Sequence, residues 1–308
     1  MRSEAACIPC VIHQCQRVVK MVTDDETSLL SVTLRVLERI QGLTLDEPPS
    51  QFTSRVLLET YAALGTDDPF ARVRQTMNEL GAKAAERARD RITHTPDPLH
   101  TAILYAAAGN VIDIGPQASF DLDAALASLH FKHDDYREFR DRLHGAQNVL
   151  YLLDNAGEVF LDRLLVERLS GYQLTLVVKP APILNDALAS DAEAAGLPQF
   201  GRVIASGTRT LGISIADSSP DLRRAFENAD VIIAKGHANF ESLIDFERDV
   251  FFVLKAKCPV VAQYLTRCRK PAAGNQPPIL VGDSVFLHSE GSPEEDYIPV
   301  QECLSRKY

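Results

Sequence analysis

Nowhere in its 308 residues does the chain run apolar for the ~20 positions that a membrane-spanning helix needs. No membrane role is therefore expected. Positive charge is also scarce. Against 42 Asp and Glu stand 32 Lys and Arg, a formal charge of −10. The broad basic footprint of a non-specific nucleic-acid binder is missing, although a local basic pocket fits that balance. The opening Met1-Arg2-Ser3-Glu4-Ala5-Ala6-Cys7 has neither a long apolar core nor a cleavage pattern. A cytoplasmic location is expected, and with it six reduced cysteines rather than a disulfide framework. No Gly-x-Gly-x-x-Gly follows a strand-like run. Gly207 and Gly212 have the glycine spacing of a phosphate-binding loop, but no lysine follows the second, which excludes a P-loop. No Gly-x-Ser-x-Gly elbow is present, and no internal repeat.

What is present is a change of period near Gly145. Before it, apolar residues recur at helical spacing. Leu29, Leu30, Leu34, Val36, Leu37 and Ile40 form one predicted stripe, and Val56, Leu57, Leu58, Tyr61 and Leu64 another. Residues 70–91 read as a long helix, 99–112 as a buried Ala-rich one, and 139–143 as a last short one. From Asn148 on, short β-branched runs alternate with helical stretches. The strands are expected at 149–153, 174–178, 202–205, 231–234, 251–254 or 260–262, and 279–281. The helices between them are expected at 159–169, 186–195, 221–228 and 240–245. Such alternation implies βαβ units and a mostly parallel sheet. The expected division is a helical domain over 1–145, an α/β metal- and phosphate-binding domain over 146–290, and a polar tail over 291–308.

Four successive strand ends carry polar groups, and parallel strands put all four on one edge. The first is followed by Asp154-Asn155-Ala156-Gly157-Glu158 and the second by a loop reaching Asn185-Asp186, with Asp191 beyond it. The third is followed by Ser206-Gly207-Thr208 and the fourth by Lys235-Gly236-His237-Ala238-Asn239. In an open α/β sheet that rim is where ligands bind. Asp154, Asn155 and Asp186 offer hard oxygens suited to a divalent metal such as Mg²⁺ or Mn²⁺. Ser206, Gly207 and Thr208 form a turn whose N–H groups suit a phosphate. Lys235 would neutralise phosphate charge, and Asn239 would orient it or a sugar hydroxyl. A metal there would polarise a phosphoryl group and activate a water. The same residues also serve as turns and helix caps. Asp191 is read as lying on a solvated helix face.

Cys7-Ile8-Pro9-Cys10 is dense in ligand-type side chains, but a zinc site needs a second cluster, and Cys258 and Cys268 are too far apart to supply one. Metal binding, redox activity and plain apolar packing of the thiols all stay open for Cys7 and Cys10.

Taken in order, several segments resemble the damage-control phosphatase family, also known as domain of unknown function 89, in its stand-alone prokaryotic type. They are Cys7-x-x-Cys10, Ala108-Gly109-Asn110-Val111-Ile112-Asp113, Asp154-Asn155-Ala156-Gly157-Glu158, Pro182-Ile183-Leu184-Asn185-Asp186, Lys235-Gly236-x-x-Asn239-Phe240-Glu241 and Lys257-Cys258-Pro259-Val260. The resemblance implies a three-layer α/β/α, Rossmann-like, mostly parallel sheet with an N-terminal all-helical part. It implies a metal-dependent phosphatase of small phosphorylated metabolites, sugar phosphates or damaged phospho-compounds, using Mn, Co, Ni or Mg. By motif, Asp154, Asn155 and Asp186 would bind metal and the 235–239 loop, including Gly236, would meet substrate. Asn110 and Asp113 would come from the helical part, and Glu158 would sit beside the metal ligands. The sequence departs from the family's habit at Pro180-Ala181 and at His237-Ala238, both in substrate-facing loops. His237 is either a substituted loop position or a proton-transfer group, its ordinary pKa being about 6.5. Two other functions remain compatible: an S-adenosylmethionine-dependent carboxyl methyltransferase and a non-catalytic phosphometabolite-binding protein. Nothing in the pattern fixes an oligomeric state.

Overall fold

The computed structural model describes residues 1–108, 129–269 and 276–291. Asn110, Asp113 and the tail from 292 lie outside the described residues. The first part is helical: α1 (Cys7–Val22), α2 (Glu26–Ile40), α3 (Pro49–Ala63), α4 (Ala71–Thr93) and α5 (Pro98–Ala108). Local chemistry sets their ends. Asp25 caps α2 by accepting the Ser28 N–H at 2.8 Å, and Pro49 opens α3 where its missing N–H costs nothing. The predicted stripe on α2 is met in part: Leu29, Val36 and Ile40 lie against the helical core. Val32 and Val36 are the helix's buried residues, whereas Leu30, Leu34 and Leu37 are exposed. Apolar side chains lie on both sides of that helix, so period alone could not choose between them.

The remainder runs β1 (His133–Asp134), α6 (Tyr136–Leu143), β2 (Asn148–Leu152), α7 (Glu158–Arg168), β3 (Gln173–Val178), α8 (Ala189–Ala194) and β4 (Arg202–Ala205). It continues through α9 (Pro220–Asn228), β5 (Val231–Lys235), α10 (His237–Leu243), β6 (Val250–Lys255), α11 (Pro259–Cys268) and β7 (Ser284–Ser289). The seven strands form one sheet in the order β1-β7-β6-β5-β2-β3-β4. All pairs are parallel except β6 with β7. Residues 260–262 belong to helix α11, because Pro259 starts it and the Cys258 sulfur accepts the Val261 N–H at 3.5 Å. The last strand lies beyond 279–281, where Asp283 accepts the Leu280 N–H and Gly282 turns the chain with a φ of 101°.

Strand alternation distributes the core over both faces. Val149, Tyr151 and Leu153 join a cluster with Leu161, Leu164 and Leu165 of α7 and the alanines of α4 and α5. Leu150 and Leu152 face the other way, toward Phe226, Phe240 and Leu265 of α9, α10 and α11. Helices therefore cover both faces, giving three layers. Helices α1, α2 and α3 form a third cluster that reaches Ile183 and Leu211 in the loops after β3 and β4. This places a helical cap over the carboxyl ends of the strands. No helix among the described residues is long and apolar enough to cross a membrane.

Candidate functional site

From β2 the chain proceeds through β3 and β4 toward one edge, and from β5 through β6 toward the other. The order therefore reverses between β2 and β5, where a crevice opens at the strand ends. Two backbone hydrogen bonds shape it. Ala187 N–H donates to Asp154 O, and Ala156 N–H donates to Asn185 O, each at 2.8 Å. They set Asn155 opposite Asp186 in a short antiparallel bridge. Asp154, Asn155 and Asp186 thus come together, all three buried.

Two glycines permit this packing. At Gly236, with φ 86°, an added Cβ would stand 1.9 Å from an Asp154 carboxylate oxygen. At Gly157, with φ 81°, it would stand 2.5 Å from Met77 O on α4. Gly81 of α4 faces Gly157 in turn, its Cβ position 2.1 Å from Gly157 O. Helix and loop therefore cross backbone to backbone. Asn78 of α4 fastens the crossing: its Oδ1 accepts the Gly157 N–H at 2.8 Å and its Nδ2 donates to Asp191 Oδ1 at 2.6 Å. Asp191 is buried rather than solvated, and its other oxygen accepts the Leu188 N–H.

Beneath the carboxylates runs a chain of polar contacts. Asn155 Nδ2 donates to Asp154 Oδ2 at 3.0 Å and to Glu158 Oε1 at 2.8 Å. Glu158 Oε2 lies 3.4 Å from Lys235 Nζ. Lys235 Nζ donates to Asp162 Oδ1 at 2.6 Å, which also accepts the Tyr151 hydroxyl at 2.8 Å. Every member is buried. Burial alone would depress Lys235, but Asp162 and Glu158 outweigh it and hold the ammonium above its ordinary value. On the far side Lys179 stands 3.7 Å from Asp186 Oδ2 and donates to Gly212 O. Burial, with the charge of Glu158, pushes Asp154 well above the usual carboxylate range. Burial raises Asp186 to about 6 against the pull of Lys179.

A cavity of about 400 Å³ opens over Asp154, Asn155 and Asp186. Its sheet side also presents His237, Lys257 and Cys258, and its helical side Cys7, Cys10, Gln14 and Arg17 of α1. Ser50 and Thr53 of α3 complete that wall, with Glu241 of α10 at the seam. His237 Nε2 lies 3.9 Å from Cys258 Sγ. Burial and Lys257 push the imidazole down to about 3, so it is neutral. Burial pushes the Cys7 thiol up to about 11, and Cys7, Cys10 and Cys258 are free thiols.

The other expected contacts go elsewhere. Lys235 points into the interior rather than the cavity. Asn239 Nδ2 donates to Leu153 O and Lys235 O, tying β2 to β5. Ser206 N–H bonds Val178 O, Gly207 packs on Ser219, and neither these nor Thr208 lines the cavity. Sequence reasoning passed over Gln14 and Arg17, and it named Glu241 and Lys257 only within the family-like segments, without a role. Cys7, Cys10, Gln14 and Arg17 recur at spacings of three and four, one face of a helix, which was the available signal. Lys257 lies two residues past the end of β6, whereas Lys235 is the last residue of β5.

Among the described residues no group of three or more His, Cys, Asp or Glu side chains is arranged to hold a metal ion. The set here is two carboxylates and a carboxamide. Both amide hydrogens of Asn155 serve neighbouring carboxylates, which leaves Oδ1 as its remaining donor atom. Hard oxygens in an anionic, buried cluster fit a small divalent cation. A nucleotide cofactor fits less well, because α4 fills the space against Gly157 that a close-approaching pyrophosphate would need.

Residues 3–271 match the damage-control phosphatase ARMT1-like domain. A damage-control phosphatase of Pyrococcus horikoshii is 34% identical over 278 residues, covering 86% of this chain and 94% of that protein. A damage-control phosphatase of Archaeoglobus fulgidus is 30% identical over 276 residues, covering 85% and 95%. The crystal structure of a DUF89 family protein from Pyrococcus horikoshii superposes with a TM-score of 0.83 at 30% identity, covering 94% of this chain and 99% of that one.

Proposed function

The chain belongs to the damage-control phosphatase ARMT1-like family, and from that premise we propose that it is a metal-dependent phosphatase of small phosphorylated metabolites. Sugar phosphates and damaged phospho-compounds are the substrate class. The observation that carries the reading is the backbone-locked juxtaposition of Asp154, Asn155 and Asp186 at the reversal of strand order. Asp154 and Asp186 would hold the metal with Asn155 Oδ1; Mn²⁺, Co²⁺, Ni²⁺ and Mg²⁺ are the ions to test. Bound there, the metal would supply charge neutralisation for the phosphoryl oxygens and a water of lowered pKa.

The protein's own groups divide the remaining work. Lys257 lines the cavity and is the cation placed to meet phosphate charge. Lys235 serves the interior, holding Glu158 and Asp162. Neutral His237 offers a ring nitrogen for hydrogen bonding, not a positive charge. The helical wall closes over the substrate's non-phosphate end and limits its size.

Phosphate release from a panel of sugar and cofactor phosphates should require one of the four ions. Asp154→Ala should reduce it below detection while keeping the circular-dichroism spectrum and cooperative melting of the parent. Metal-independent turnover, or full activity in a folded Asp154→Ala protein, would overturn the reading. Calorimetric binding of S-adenosylmethionine would favour the methyltransferase instead.

A further inference from the structure

Glu158 lies in the motif beside the metal-ligand candidates, yet it reaches no cavity position. Its carboxylate is buried, with Asn155 on one oxygen and Lys235 on the other. We infer that Glu158, held by Lys235, is a positioning residue that fixes the Asn155 carboxamide with Nδ2 turned inward and Oδ1 turned to the cavity. The inference rests on the metal reading above.

The argument is one of donors and acceptors. A carboxamide can turn over at little cost, because its oxygen and nitrogen are nearly the same size. Only hydrogen bonding decides which one faces a ligand. Here both hydrogens of Nδ2 are committed, one to Asp154 Oδ2 at 3.0 Å and one to Glu158 Oε1 at 2.8 Å. A flipped amide would set its oxygen against two carboxylates. Glu158 can accept only while it stays in place, and there it is buried. Lys235 supplies the opposite charge, and Asp162 with the Tyr151 hydroxyl fixes the lysine in turn. Partners behind a metal ligand commonly carry about ten- to a hundredfold of metal affinity.

Isosteric changes test this without altering shape. Asn155→Asp adds a negative charge beside two carboxylates, so simple attraction expects tighter Mn²⁺ binding. The relay expects the reverse, because Asp154, residue 155 and Glu158 would all be acceptors with no hydrogen between them. Glu158→Gln is frustrated too, since its amide nitrogen must face either the Asn155 Nδ2 or the Lys235 ammonium. The double change Asn155→Asp/Glu158→Gln restores the match between these two residues: the Gln nitrogen donates to the new carboxylate and its oxygen accepts from Lys235.

Mn²⁺ dissociation constants from titration calorimetry, with metal-free melting in parallel, give the readout. Each single variant should weaken Mn²⁺ by about tenfold, and the double variant should recover part of that loss, because its contact with Asp154 stays without a hydrogen. Asn155→Asp binding as tightly as the parent overturns the inference, and so does a double variant no better than its weaker single. Should a single variant fail to fold, the double decides: folded and binding Mn²⁺ supports the relay, and unfolded or non-binding overturns it. Absence of saturable Mn²⁺ binding by the parent is a different failure, which removes the metal reading along with this one.

Discussion

On the sheet side of the cavity every candidate ligand already has a partner: Asn155 for Asp154, Glu158 for Asn155, Lys179 for Asp186. On the helical side, among the described residues, Gln14 Oε1 is buried with no hydrogen-bond partner, and Arg17 has the ring of Phe70 at 5.9 Å. The two walls follow opposite rules. The first is over-determined, so its groups hold one geometry before any ligand arrives, which suits chemistry. The second leaves polar groups unspent, which suits recognition of whatever part of a substrate is not phosphate.

Four changes would break or sharpen that contrast. Gly236→Ala should do the most harm, since the new methyl meets the Asp154 carboxylate directly. Displacement of about 1 Å can cost about a hundredfold in rate, so kcat/KM should fall by that order, and the φ of 86° together with the buried clash should lower the unfolding midpoint as well. Gly157→Ala strikes the support instead. Its φ of 81° and the Met77 carbonyl both oppose a side chain, and urea unfolding should show a loss of about 2–3 kcal/mol.

Glu241 at the seam gives a pH signature. Burial lifts its carboxyl to about 7. A folded value above the unfolded one means a stabilising contribution that is complete below about 4.5 and lost as pH rises through 7. Between pH 4 and pH 8 the parent should lose on the order of 3 kcal/mol relative to Glu241→Gln. Parallel stability–pH curves would show that Glu241 is already satisfied. The mildest change is Arg17→Gln, expected to raise KM about threefold with kcat kept, the mark of uniform binding. A fall in kcat instead would place Arg17 on the chemical side of the contrast.

The sequence made the rim legible because its information is local. Asp154-Asn155 follows an apolar run and precedes a helix, and Asp186 lies at the next such junction. Lys235 was misread for a reason that alternation could have supplied. Val231 and Ile233 face the cluster that holds Tyr151, and period two sends Lys235 the same way, toward α7, where Asp162 and Glu158 wait. The phase of α2 was legible only in part, since its leucines occupy both sides and only the position of α1 and α3 decides. The Ser206–Thr208 turn was not legible, since its orientation depends on Ser219. The antiparallel pairing of β6 with β7, and the two-residue β1, depend on contacts remote in sequence. The thiols were legible as a group, but their place on one cavity wall needed the helix to be docked.

The backbone-to-backbone crossing of Gly81 and Gly157 has a consequence for how such a protein can be divided or inherited. A fragment beginning at residue 146 would keep every strand but β1, and all of Asp154, Asn155 and Asp186. It would lose Met77, Asn78 and Gly81, and the Gly157 N–H would lose its partner. The helical part is thus no detachable lid. It is the last brace of the loop on which the chemistry stands, and the two must travel together through any recombination or truncation.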